Sequence, residues 1–172
     1  MKHGGAAVVR TTTIARVLVL GGALWVCAIV LAPIAMASTS DFAHACAVAV
    51  YAAGSFVCHQ IPERSFHLAG RQLAVCGRCT GLYVAALAGG VAALAAWRRA
   101  AIDDRTLLAI AALPTAVSWG LEHGGIAAQS NAIRAIAALP LGVAAAWVVI
   151  GLLVERRAGP RGARSPASAA AR

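Results

Sequence analysis

Three cysteines and two histidines lie in one short polar segment, CHQIPERSFHLAGRQLAVCGRCTG, which runs from Cys58 to Gly81. Cys76 and Cys79 form a C-x-x-C pair at the start of an apolar run. Cys58 and His59 lie side by side, 18 residues before Cys76. Thiolate and imidazole groups are the ligands that zinc prefers, and a C-x-x-C pair also suits thiol–disulfide exchange. The segment therefore carries the residue types of a metal site or a redox site.

We predict that Cys58, His59, Cys76 and Cys79 bind a metal ion, with zinc as the expected cofactor. Cys76 and Cys79 share one helix face, and a helix N-terminus favours their thiolate forms. Adjacent residues on an extended backbone point in opposite directions, so another imidazole can replace His59. The alternatives are His44, His67 and His123. Two other interpretations stay open, namely a redox-active Cys76–Cys79 pair and a structural disulfide.

The rest of the chain has the composition of an integral membrane protein. Of its 172 residues, 60% are hydrophobic and 12% charged, and the mean hydropathy is +0.77. Such values predict an all-α, polytopic helical bundle in a lipid bilayer. The net charge is +9, but the basic residues flank apolar runs, where membrane topology explains them. We therefore predict no nucleic-acid partner, while a homo-oligomer remains open.

Four apolar runs predict about four transmembrane helices, at residues 14–36, 77–97, 105–121 and 132–154, of which the third is the shortest. Residues 41–57 predict one interfacial helix, with a fifth span as the alternative. The predicted organisation is a cytoplasmic N-terminus (1–13), a single membrane domain (14–157) with an outer loop (37–76), and a disordered cytoplasmic tail (158–172).

Lys and Arg placement predicts the orientation in the cell membrane. In the four-span arrangement, 11 basic residues fall on the side of the termini and four on the other side. Both termini are therefore predicted to be cytoplasmic and the loop 37–76 to face outward. Residues 35–38 resemble a signal-peptidase site. We expect a retained helix there, and cleavage would still leave the loop outside.

Further polar residues are predicted to gather at the same outer rim. They are Gln60, Arg64, Arg78, Glu122, His123, Asn131 and Arg134. Arginines at a membrane rim can bind an anionic ligand or simply reach the interface, as we expect of Arg71. Glu122 beside His123 suits proton handling, and with Arg134 the pair also allows a small transporter. Ser118 is expected to be a packing residue.

Small residues repeat every four positions in the predicted membrane helices. In the second span Gly81, Ala85 and Gly89 follow this spacing, which lets helices approach closely in lipid. Composition alone can also produce such a repeat in an Ala-rich chain. We predict a close helix–helix contact along the face that carries Gly81, Ala85 and Gly89.

CHQIPERSF followed by CGRCTGLY resembles the family catalogued as domain of unknown function 2085, small multi-span membrane proteins of prokaryotes. Ser130, Asn131 and Arg134 also fit that family's pattern. Where the family usually has Asp in the third span, this chain has Ser118, and Glu122 follows one turn later. The resemblance implies a membrane fold and the same site residues, and it implies no reaction.

The sequence thus predicts a multi-pass membrane protein with an extracytoplasmic Cys/His site that binds a metal ion and has a structural or ligand-binding role. The alternatives are a thiol–disulfide oxidoreductase that uses Cys76 and Cys79, and a small transporter. Whether the protein is an enzyme is left open.

Overall fold

The computed structural model describes residues 3–96 and 102–155, with side chains for 13–96 and 102–154. The predicted tail, 158–172, and several of the basic residues counted on the side of the termini therefore fall outside the described residues. The elements are α1 (His3–Ala35), α2 (Asp41–Ser55), a 3-10 turn (Pro62–Arg64), β1 (His67–Leu68), β2 (Arg71–Gln72), α3 (Gly77–Ala96), α4 (Asp104–His123) and α5 (Asn131–Glu155). The prediction of an all-α membrane protein is confirmed, with one small β-hairpin added.

Among the described residues, three helices are long and apolar enough to cross a membrane, over Thr13–Ala35, Gly77–Ala96 and Asn131–Val154. The third predicted span, at residues 105–121, corresponds to α4, which has 20 residues and a length of about 30 Å at 1.5 Å per residue. It is not among the three because polar residues occupy both of its ends and much of its second half. Helix α1 begins at His3, well before the predicted start of the first span.

Helices α3 and α5 pack together through small residues, in parallel. A side chain at Gly81 would collide with the backbone of Ala135, and one at Gly89 would lie 2.6 Å from the carbonyl oxygen of Val143. Gly81 contacts Ala135 and the later Gly89 contacts the later Val143, so the two helices run in the same direction. The predicted close contact along the Gly81–Gly89 stripe is therefore confirmed, and it fixes the starts of α3 and α5 side by side.

The other helices complete one end of the bundle. Helix α4 runs opposite to α5 and is fastened to it by Thr115, whose hydroxyl donates to the carbonyl of Ala137 at 2.8 Å. The end of α4 consequently meets the starts of α3 and α5. Near its own end, α1 contributes Ile29, which packs with Val75 just before α3. Four chain segments thus converge where the polar residues lie.

The predicted outer loop is largely ordered. Ser40 caps α2 by accepting a hydrogen bond from the N–H of Ala43 at 3.4 Å. Strands β1 and β2 pair antiparallel around Ala69 and Gly70, which both have positive φ, as tight hairpin turns require. The chain then buries residues 73–75 against α1 and α2. This burial determines where Cys76 stands at the start of α3. The placement of α2 at the membrane interface remains a prediction.

Candidate functional site

The sulfur atoms of Cys58, Cys76 and Cys79 converge. All three Sγ atoms lie within 4.8 Å of one another, and we call these residues the thiol cluster. Tetrahedral zinc with Zn–S distances of about 2.3 Å places its sulfur ligands about 3.8 Å apart. The cluster is therefore close to the geometry that a tetrahedral metal ion needs. It joins a residue of the outer loop to two residues at the start of α3.

Gln60 holds the loop that carries Cys58. Its side-chain amide donates to the carbonyl oxygens of Tyr51 at 2.7 Å and Ala74 at 2.8 Å. These bonds connect the end of α2 with the segment that enters α3. Gly54 allows the contact, since a side chain there would meet both Ala74 and the Gln60 amide. Gln60 was predicted as a rim residue of the site, and its contacts give it a positioning role.

The start of α3 favours thiolate at Cys76. The backbone N–H of Cys76 donates to the Sγ of Cys58 at 3.1 Å, which brings the loop sulfur to the helix N-terminus. A hydrogen bond from the Cys79 side chain is the main cause that lowers the pKa of Cys76 to about 5. Burial opposes this shift, while backbone N–H groups at Cys79 and Arg78 and the Cys58 side chain add to it. Thiolate is the form that both metal binding and redox attack require.

The predicted four-ligand set is brought together only for its three cysteines. His59 is exposed, and its imidazole is not part of the converging group. The chain turns directly after His59, at Gln60, which has a positive φ. His123 stacks on Trp119 with ring centroids 4.1 Å apart. Both His59 and His123 line the cavity beside the thiol cluster, whereas His44 and His67 do not.

Glu122 forms the centre of a second cluster. Its carboxylate is 8% exposed and contacts the guanidinium groups of Arg64, Arg78 and Arg134, which we call the arginine cluster. Arg134 donates to both carboxylate oxygens, at 2.8 and 3.2 Å, while Arg64 lies at 3.1 Å and Arg78 at 3.4 Å. The hydrogen bond from Arg134 is the main cause that lowers the pKa of Glu122, against the effect of burial. The carboxylate is therefore held ionised.

Asn131 ties the outer loop to α5. Its side-chain amide donates to the carbonyl oxygen of Ser65 at 2.8 Å, and its own oxygen accepts from Arg134 at 2.6 Å. Ser65 is fully buried and bonds back to the carbonyl of Ile61 at 2.9 Å, closing the 3-10 turn. The turn places Arg64 against Glu122. The polar residues of the motif thus act largely by fixing the positions of others.

Ser118 does more than pack. It is buried, and its hydroxyl lies 3.3 Å from an Nη atom of Arg78. Gln129, which the sequence did not suggest, donates to the carbonyl of Ser118 at 2.9 Å and also contacts its hydroxyl. Ser118 and Glu122 are four residues apart on α4 and both contact Arg78. This spacing, which puts two residues on one helix face, was the sequence feature that could have indicated a site role for Ser118. Arg71 lies on β2, exposed and outside the arginine cluster.

A cavity of about 570 Å³ is lined by both clusters. The thiol cluster, the arginine cluster, His59, His123 and Trp119 all contribute to its wall. Arg78 lies between the two cysteines of the C-x-x-C pair in sequence, and among the described side chains its Nε atom is buried without a partner. Thiols and guanidinium groups therefore face one shared space, which combines three sulfur atoms with positive charge.

Comparison with known proteins identifies one family. The family model described as "Predicted membrane protein (DUF2085)" matches residues 58–148, which include both clusters. The chain is 30% identical to the uncharacterized protein MJ1492 of Methanocaldococcus jannaschii over 122 residues, 70% of this chain and 78% of the relative. It is 29% identical to an uncharacterized protein of Methanothermobacter thermautotrophicus over 88 residues, 51% of this chain and 79% of the relative. No solved structure matches significantly.

Proposed function

The chain belongs to the DUF2085 family of predicted membrane proteins, and we propose that it binds a zinc ion at the thiol cluster. The observation that carries this proposal is the mutual approach of three Sγ atoms within 4.8 Å. A disulfide needs only two cysteines, whereas a third convergent sulfur is what a metal ion requires. The lowered pKa of Cys76, to about 5, supports ligation because a metal binds the thiolate.

The ion would have a structural effect in this proposal. Cys58 belongs to the loop after α2, and Cys76 and Cys79 belong to the start of α3, so one ion joins the loop to the bundle. The fourth ligand is an imidazole, from His59 or His123, since both line the cavity. A ligand that binds only the folded protein stabilises it by mass action. Chelation is therefore expected to loosen the outer loop first.

Zinc content of the purified protein tests this function. Elemental analysis of full-length wild type is expected to give one zinc per chain, and Cys76→Ser is expected to lose most of it. Cys46→Ser is the matched control, because Cys46 is exposed on α2 and is not part of the thiol cluster. Metal-free wild type, or equal metal in wild type and Cys76→Ser, would refute the proposal. His59→Ala and His123→Ala then identify the fourth ligand.

We propose that the protein lies in the cell membrane with four spans and with both termini in the cytoplasm. The antiparallel packing of α4 along α5 supports α4 as the fourth span. Because α4 runs beside α5 and ends near the candidate site, it would cross the same part of the bilayer as α5. Its length of about 30 Å matches a bilayer core. The distribution of basic residues supports the orientation. Cysteine accessibility from outside intact cells tests it.

The competing function is thiol–disulfide exchange, which the low pKa of Cys76, about 5, favours. In that reaction the thiols of Cys76 and Cys79 form a disulfide, and two electrons and two protons pass to a quinone, giving a quinol. Trapping of thiols in living cells separates the two functions, because a metal-bound pair stays reduced throughout. Proton-coupled transport through Glu122 has less support, since three arginines hold that carboxylate ionised.

A further inference from the structure

The arginine cluster carries more positive charge than its carboxylate can balance. Three guanidinium groups contact the single carboxylate of Glu122, which leaves an excess of two positive charges. A divalent ion on three thiolates would carry one negative charge, so the cavity would stay positive with the metal as well as without it. Charges in partly buried sites are costly unless they are balanced. An anion in the cavity would provide that balance.

The guanidinium groups have donors to spare. The Arg64 side chain is 39% exposed, and among the described residues its guanidinium group forms an ion pair with Glu122 through Nε and donates no hydrogen bond. Arg78 uses one Nη atom for both Ser118 and Glu122, so its other Nη is uncommitted among the described residues. The Arg134 side chain is 9% exposed, and each of its three guanidinium nitrogens donates to Glu122 or Asn131, which anchors the cluster. Arg64 and Arg78 therefore offer N–H groups to the cavity while Arg134 holds the carboxylate in place.

The shape and the wall of the cavity restrict the ligand. A volume of about 570 Å³ is in the range of small-molecule sites and well above what one inorganic anion fills. Apolar side chains of Val57, Ile61 and Trp119 line it beside the charged groups. Guanidinium forks match the oxygens of phosphate groups. The wall thus suits a phosphate group that is attached to an apolar body.

We propose that this cavity binds a phosphate-bearing amphiphile through Arg64 and Arg78. The same chemistry is offered by a phospholipid headgroup and by a soluble phosphate monoester. The site lies where three helix termini meet, at the end of the predicted spans, so a headgroup would arrive from the adjacent bilayer. This binding goes beyond the metal site, because it needs the arginine cluster and not the thiol cluster.

Binding is measured on the full-length protein with two probes. Phenyl phosphate is titrated by calorimetry against protein in an uncharged detergent, and lipids retained from nanodiscs of phosphatidylcholine with phosphatidylglycerol are identified by native mass spectrometry. Arg64→Gln removes one donor and leaves the Arg134–Glu122 pair intact. Arg71→Gln is the matched control, since Arg71 is an exposed arginine of the same outer loop outside the cluster.

Wild type is expected to bind at least one probe, with affinity falling as salt rises. Arg64→Gln should weaken that binding about tenfold, which corresponds to about 1.4 kcal/mol, and Arg71→Gln should not change it. Selective retention of phosphatidylglycerol identifies a lipid, and binding of phenyl phosphate alone identifies a soluble ester. Failure of both probes on wild type, or equal loss in the two arginine variants, overturns the proposal.

Zinc measured on the same samples keeps the two proposals separate. Zinc-loaded protein that binds neither probe refutes only the anion site. Zinc-free protein that binds a probe refutes only the metal centre, because the excess charge of the arginine cluster is independent of the metal.

Discussion

Glu122→Gln removes the charge on which the arginine cluster is centred. The change keeps the size of the side chain but places an amide against three guanidinium groups. Arg134 is affected most, because it is 9% exposed and donates two hydrogen bonds to this carboxylate. Removing one partner of a buried ion pair typically costs about 3–5 kcal/mol. The exposed Arg64 adds little, about 0.2–1 kcal/mol for a pair of that kind.

We therefore expect Glu122→Gln to lower the free energy of unfolding by about 4 kcal/mol. For a chain of this size the melting temperature should fall by on the order of 10 °C. The assay is thermal unfolding of the full-length protein in detergent, followed by circular dichroism. Glu63→Gln is the control, since Glu63 is exposed in the 3-10 turn and its loss should change the free energy by under about 0.5 kcal/mol.

A double variant tests whether the cost comes from the pair. Adding Arg134→Met to Glu122→Gln removes the stranded buried charge, so it should restore part of the lost stability. If Glu122→Gln has the same melting temperature as the Glu63→Gln control, the arginine cluster does not stabilise this end of the bundle. If Arg134→Met lowers the stability of the Glu122→Gln variant by as much as it lowers that of wild type, the two residues act independently and the reasoning fails.

Three other outcomes follow from the structure. Gly81→Leu should separate α3 from α5, at a cost of at least about 1–3 kcal/mol, whereas Gly21→Leu should be mild because nothing lies within 4 Å of that position; unfolding in detergent compares them, and equal effects would contradict the contact. Stability due to Glu122 should be complete above its ordinary pKa of 4.5 and should disappear as pH falls through its lowered pKa; a wild type and Glu122→Gln with the same acid profile would exclude this. A membrane-impermeant maleimide should label Cys46 on intact cells at once and the thiol cluster only after chelation; immediate labelling of all four would argue against a bound metal.

The sequence predicts the membrane bundle and its closest contact because both depend on local patterns. Apolar length identifies α1, α3 and α5, and the four-residue spacing of Gly81 and Gly89 identifies the α3–α5 face. Helix α4 is less apolar than these three helices, because Ser118, Glu122 and His123 in its second half belong to the candidate site. Polar residues at a site inside or beside the membrane lower the mean hydropathy of a helix, so hydropathy alone does not identify such a helix as a span.

The site is only partly predictable, for the reason that its contacts are long-range. The C-x-x-C spacing places Cys76 and Cys79 together, but nothing local shows that Cys58 joins them and His59 does not. The loop that carries Cys58 is held beside the start of α3 by Gln60, whose amide donates to Tyr51 in α2 and to Ala74 before α3. Likewise, residues 64, 78 and 134 meet at Glu122 only because three helix termini gather at one end of the bundle.

Zinc K-edge X-ray absorption on the purified, full-length protein tests the central claim most directly, because it counts the sulfur atoms around the metal. The metal centre predicts one zinc per chain with three sulfur ligands at about 2.3 Å and one nitrogen ligand at about 2.0–2.1 Å. Cys58→Ser should reduce the sulfur count by one, and Cys46→Ser should leave the spectrum unchanged. Protein without stoichiometric zinc, or zinc surrounded only by nitrogen and oxygen, would contradict the claim.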